Sequence, residues 1–295
     1  MSAPRANPDA NPDPRLTPAR GDLAAAHLRG LVAAKRYVEG DAARVLAGRA
    51  PLRAGPSETA GQASELLFGE QVTVYDRKDG WAWVQAAQDD YVGYVRDDAL
   101  GAVVAPGHRI AALSTPLLPA PDMKRPALDL LPMNAKVAVL GHEGRFARIA
   151  PRGFVFADHL VPLTTHAPDY VAIAERFIGA PYIWGGKSFA GLDCSGLVQT
   201  ALEAAGIAAP RDSDLQQAAL GQALPVSPDL ANLSRGDLVF WNGPVGILCD
   251  GARMVHANGH SMDVRIEDVR EAAARIERSA GPIAAIKRLP LTAPQ

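Results

Sequence analysis

Cysteine is scarce in this chain: 295 residues contain two, Cys194 and Cys249, too few for a disulfide framework. There is no uninterrupted run of about eighteen apolar residues, the length a membrane-spanning helix needs. Blocks of like charge are missing too, and the formal net charge is −2, so neither nucleic acid nor an anionic membrane is expected as a partner. The opening MSAPRANPDANPDPRLTPARGDLAAAHLRG is rich in Pro, Asn, Asp and Arg. It lacks the apolar core of a secretory signal, and a cytoplasmic location is therefore expected. The seven histidines form no ligand spacing with cysteines or carboxylates, so no metal and no cofactor is implied.

What remains is the composition of a soluble globular protein, 48% hydrophobic and 21% charged. At roughly 100–200 residues per domain, the length suggests two or three units. Residues 1–20 read as a disordered Pro-rich tail, and 21–41 as an N-terminal helix with apolar residues at helical spacing. From 42 to 101 the text turns to short β-like runs broken by Gly, Pro and Asp, among them SELLFGEQVTVYDR, KDGWAWVQA and DDYVGYVRDDAL. Close spacing of such runs argues for a small all-β barrel.

Residues 102–163 repeat that plan. TPLLPAPD answers APLRAGPS, NAKVAVLGHEGRFARI answers GEQVTVYDRKDGWAWV, and GFVFADHL answers GYVRDDAL. A period of about sixty residues is too long for a solenoid and fits a duplicated domain. Both segments resemble bacterial SH3-type barrels. From 166 to 290 helices come first and strands follow, the order of an α+β domain.

The strongest local signal is LDCSGLVQTALEAAG, which places Cys194 at the start of a helix closed by Gly206. Unpaired backbone N–H groups and the positive end of the helix dipole favour thiolate there, which is how a nucleophile is made. Cys249 ends the apolar run VGILC and reads as a buried strand residue.

The blocks PYIWGGKSFAGLDCSGLVQTALEAAG, APRDSDLQ, LSRGDLVFW, VGILCDGARMVHAN and DVRIEDV resemble, in order and spacing, the NlpC family of bacterial cell-wall cysteine peptidases. The resemblance implies a papain-like α+β domain preceded by two SH3-like barrels. It also implies hydrolysis of muropeptides of the type L-Ala-γ-D-Glu-diamino acid in wall recycling. Carried over by position, Cys194 is the nucleophile and Tyr182 an oxyanion donor. Asp193, Ser195 and Ser213 are then substrate contacts, and Glu70 and Tyr91 of the first barrel close the cleft around the peptide's free amino end.

Histidine is where the chain departs. The family's base starts the block His-Val-Gly-Ile, and a second residue twelve positions later orients it. His256 stands at the second place, but Pro244 occupies the first. Proline can neither take the thiol proton nor protonate the leaving amine. The alternative reading is therefore a pseudoenzyme that binds a wall peptide or a protein partner without cutting, with His256 and His260 as the imidazoles that could substitute as base.

Overall fold

The computed structural model describes residues 12–227 and 229–289. A seven-stranded antiparallel sheet forms first, in the order Leu100–Gly101, Asp41–Val45, Gln71–Lys78, Trp81–Ala86, Val92–Arg96, Arg49–Arg53, Gln62–Leu67. Alternation sets its inner face: Val72, Val74, Ala82, Val84 and Ala86 are buried together with Leu52, Leu66 and Tyr91. Successive side chains of a strand point to opposite faces, so one apolar residue in two suffices.

The second β segment builds smaller sheets from Ser114–Leu117, Asp129–Pro132, Val139–Glu143, Phe146–Ile149 and Phe154–Phe156, plus a three-stranded piece containing His108–Ile110 and Leu160–Pro162. The repeat seen in the sequence has a structural counterpart. GYVRDDAL forms strand Val92–Arg96, a 3-10 turn Asp97–Ala99 and the strand beginning at Leu100. GFVFADHL forms strand Phe154–Phe156, a 3-10 turn Ala157–His159 and the strand beginning at Leu160.

The third unit has helices α1 (Tyr170–Glu175), α2 (Cys194–Ala204), α3 (Ser213–Ala219) and α4 (Val269–Ala280) around an antiparallel sheet. Its strand order is Gln222–Leu224, Ala285–Arg288, Leu238–Phe240, Val245–Leu248, Arg253–Asn258, Asp263–Asp268. Leu238, Phe240, Val245, Ile247 and Val255 pack against α1 and α2 on one face. On the other, Val239, Trp241, Leu248, Met254 and Ile286 pack against α4. Period-two alternation thus gives the sheet two buried faces and makes three layers.

Buried polar contacts lock the units together. Near the end of α2 the carbonyls of Thr200 and Ala204 accept hydrogen bonds from outside the helix. Asn134 and Arg109 of the second β segment donate to them at 3.0 and 2.9 Å. Lys187 and Glu70 form an ion pair at 2.7 Å between the third unit and the first barrel, with each side chain 2% exposed.

Two expectations fail at the N-terminus. Residues 21–41 are not a helix: Leu23–Ala25 pairs with Ala19–Arg20 and with Arg36–Val38, and a single 3-10 turn spans Ala26–Leu28. All three residues of Leu23–Ala25 are buried, and Gly30 at φ +84° interrupts the Ala/Leu run that suggested a helix. The expected tail of residues 1–20 lies partly outside the described residues, but 12–20 are tied down. The carbonyl of Arg15 accepts from the Val92 N–H at 2.7 Å, and the Arg20 guanidinium lies 4.6 Å from the Trp83 ring centre.

Candidate active site

Asp193 begins the site by capping α2. Its extended backbone precedes the helix, and its carboxylate accepts from the Gly196 N–H at 2.7 Å. Cys194 is therefore the first helical residue. Gly196 is required by close approach: a Cβ there would stand 2.1 Å from the carbonyl oxygen of Gly186 in the preceding aromatic-glycine turn. That contact holds the start of α2 against PYIWGG.

Arg211, which sequence reasoning did not single out, clamps this corner. Its guanidinium meets the Asp193 carboxylate in a two-point pair at 2.9 and 2.7 Å. It also donates to Ser195 Oγ at 2.9 Å and to Ser64 Oγ of the first barrel at 3.1 Å. Asp193 and Ser195 border the cleft, but both are buried and their polar atoms are engaged inside the protein.

Cys194 is half-buried, its Sγ 3.9 Å from the Gly243 carbonyl oxygen. Burial and the neighbouring Asp193 charge push its thiol up to about 11, against the weaker opposing pull of the Val245 and Ser195 N–H groups and of Arg211. The thiolate expected from helix-start placement is thus outweighed by desolvation. Ser213, the first residue of α3, donates to the same Gly243 carbonyl at 2.6 Å. Tyr182 borders the cleft, and burial, with the charges of Cys194 and Asp193, keeps its hydroxyl protonated as a donor.

The cleft in front of Cys194 has a volume of about 920 Å³. One wall is barrel: Ala54, Gly61, Gln62, Ala63 and Tyr91. Tyr91 donates to Asp212 at 3.1 Å, and Asp212 also pairs with Arg15 at 2.8 Å, so the N-terminal segment belongs to this wall. Glu70 does not. It is 2% exposed, turned inward onto Lys187 and the Leu67 N–H. The expectation that Glu70 contacts substrate is corrected accordingly: a carboxylate spent on a fully buried ammonium is part of the domain packing.

The opposite wall is sheet and α4. Pro244 stands just before strand Val245–Leu248 and lines the cleft with His256, Asn258 and His260. His256 is buried, and its Nε2 lies 2.9 Å from Glu267 Oε1. Asn258 Nδ2 donates to that oxygen at 3.0 Å, and Arg275 Nη1 donates to Oε2 at 2.6 Å. The His256 imidazole and, against the opposing effect of burial, the Arg275 guanidinium hold the Glu267 carboxyl down at about 2. His260 is exposed on the turn after Asn258. Cys249 is buried in the core beside α1 and α2, away from the cleft lining.

Residues 179–277 match the NlpC/P60 family, and residues 52–100 match the bacterial dipeptidyl-peptidase SH3 domain. A gamma-D-glutamyl-L-lysine dipeptidyl-peptidase of Bacillus cereus is 27% identical over 204 residues, covering 60% of this chain and 59% of that protein. Its namesake in Bacillus subtilis is 27% identical over 226 residues, covering 68% of this chain and 74% of the relative. The chain thus spans less than two thirds of the first relative and about three quarters of the second. A crystal structure of an NlpC/P60 family protein from Bacillus cereus superposes with a TM-score of 0.71 at 21% identity, over 85% of this chain and all of the other. That likeness is one of fold.

Proposed function

We propose, from the match of residues 179–277 to the NlpC/P60 family, that this chain is a cysteine peptidase acting on short cell-wall peptides. The bond cut in this reading is that between γ-D-Glu and the following L-diamino acid; the names of the two relatives specify γ-D-glutamyl-L-lysine for them. The observation that carries the reading is Cys194 at the start of α2, opening onto a cleft whose other wall is the first barrel.

In this reading the Cys194 sulfur attacks the γ-carbonyl of D-Glu, and the amine of the diamino acid leaves. The L-Ala-γ-D-Glu thioester that remains is then hydrolysed. Tyr182 donates to the oxyanion. Asp193 and Ser195, held from behind by the buried Arg211, keep the nucleophile in place and border the cleft. Ser213, with its hydroxyl on Gly243, fixes the turn beside the sulfur. Tyr91, Asp212 and Arg15 close the barrel side, which suits a peptide with a free amino end better than polymeric wall. A cytoplasmic location, where released peptides are trimmed, belongs to the same proposal. The alternative of a cleft that binds without cutting draws no support from the relatives named above.

The test is incubation of the pure protein with L-Ala-γ-D-Glu-L-Lys and with its diaminopimelate counterpart, read by mass spectrometry. Release of L-Ala-γ-D-Glu by the native chain and not by Cys194→Ala is the expected result. Persistence of both peptides under prolonged incubation rejects the reading.

A further inference from the structure

We propose that His256 itself accepts the Cys194 proton in this chain, and that Glu267 and Arg275 are the residues that position it. The inference rests on the reading of Cys194 as nucleophile and reassigns the proton transfer that Pro244 cannot perform.

Hydrogen bonding fixes the ring. Asn258 Oδ1 accepts from the N–H groups of His260 and Ser261 at 3.1 and 2.8 Å and from Ser261 Oγ at 2.9 Å. Its Nδ2 therefore faces Glu267 as a donor. Glu267 is ionised at neutral pH and can only accept. Asn258 Nδ2 also stands 3.1 Å from His256 Nε2, but the Glu267 carboxylate, which can only accept, lies nearer to Nε2 at 2.9 Å, so in the neutral imidazole the proton belongs on Nε2. Nδ1 is left with a lone pair and with no hydrogen bond among the described residues. Arg275 holds the other carboxylate oxygen and so fixes the plane of Glu267.

Position fits the task. Gly246, two residues after Pro244 and on the same strand face, leaves room for the Met254 side chain and the start of the His256 side chain to pack over it. A Cβ there would lie 3.2 Å from the His256 Cβ. The residues on either side of Pro244 touch the sulfur, Gly243 through its carbonyl and Val245 through its N–H. His256 and Cys194 line one cleft, and the proposed transfer runs across it, directly or through one water.

As the S–C bond forms at the substrate carbonyl, the thiol proton moves to His256 Nδ1. The resulting imidazolium is held through Nε2–H by the Glu267 carboxylate. The same proton then passes to the leaving amine as the C–N bond breaks, and imidazole is regenerated. No oxidant or further reactant is needed.

Alkylation of Cys194 by iodoacetamide at pH 7 tests this without any peptide, with rates read by mass mapping of the native chain and of His256→Ala, Glu267→Gln and Glu267→Asp. Cys249, buried in the core, is the internal control, because its labelling reports unfolding. The expected result is a rate about tenfold or more lower in His256→Ala, several-fold lower in Glu267→Gln, and partly restored in Glu267→Asp, with Cys249 protected throughout. If His256→Ala unfolds and Cys249 labels, the comparison of Glu267→Gln with Glu267→Asp decides. Equal Cys194 rates in the native chain and in every folded variant overturn the proposal. Failure to cleave wall peptides with His256-dependent alkylation intact would reject the substrate reading and leave this one standing.

Discussion

The two walls beside Cys194 spend their polar groups differently. On the helix wall the Asp193 carboxylate and the Ser195 hydroxyl are held by Arg211, which is itself buried. Nearly every hydrogen-bonding group there closes on another protein group. On the sheet wall the chain Arg275, Glu267, His256 is just as well ordered, but it ends in an imidazole nitrogen that has no hydrogen-bond partner among the described residues. Buried polar networks with all partners made rigidify a structure, and one that stops at a free lone pair beside a cleft is arranged for proton transfer. In the proposed reading the helix wall holds the nucleophile still, and the sheet wall accepts its proton.

The largest effect that separates the walls is on turnover. Cys194→Ala should remove cleavage by about a thousandfold or more while leaving the thermal melt nearly unchanged, since a half-buried sulfur contributes little packing. A melt lowered together with activity would mean that the thiol is structural.

Next is stability. Arg211→Met leaves Asp193 buried without its cation, and breaking such a pair costs about 3–5 kcal/mol, readable as a lower urea midpoint. Glu267→Gln, at a partly exposed site, should cost far less. Equal losses in the two variants would erase the distinction between a structural wall and a chemical one.

Restoring the missing base is the third comparison. Pro244→His places a second imidazole beside the sulfur and within reach of His256, and should raise peptide cleavage at least about tenfold. A slower variant would mean that the Pro244 position does not face the thiol.

The smallest effect is on the pH dependence of stability. The Glu267 carboxyl is depressed to about 2 from an ordinary 4.5, so its contribution is complete above 4.5 and is lost as pH falls towards 2. The stability difference between the native chain and Glu267→Gln should therefore shrink across that window. A difference that stays constant from pH 5 to pH 2 would show that His256 and Arg275 do not hold the ionised carboxylate.

Much of this was legible in the text of the chain, and what was not has physical reasons. The start of α2, the duplicated β plan and the place of Cys194 follow from local signals: the run LDCSGLVQTALEAAG closed by Gly206, alternating apolar residues, and recurring turn residues. Glu70 was misread because its role depends on a partner 117 positions away, Lys187, and no local signal shows that a charged turn residue faces inward. Arg211 and Glu267 were missed for the same reason, since their partners are brought to them by domain packing and by strand register. Leu23–Ala25 looked helical because Ala and Leu favour helices in isolation. Burial and pairing on both sides decided otherwise.

The most direct test of the account is to catch the acyl-enzyme. The protein is mixed with L-Ala-γ-D-Glu-L-Lys, quenched in acid within seconds, and its intact mass and peptide map are recorded. The account predicts an added L-Ala-γ-D-Glu acyl group on Cys194, absent in Cys194→Ala and cleared as free dipeptide accumulates. Dipeptide released with no adduct at any time, or an adduct on a residue other than Cys194, would contradict it.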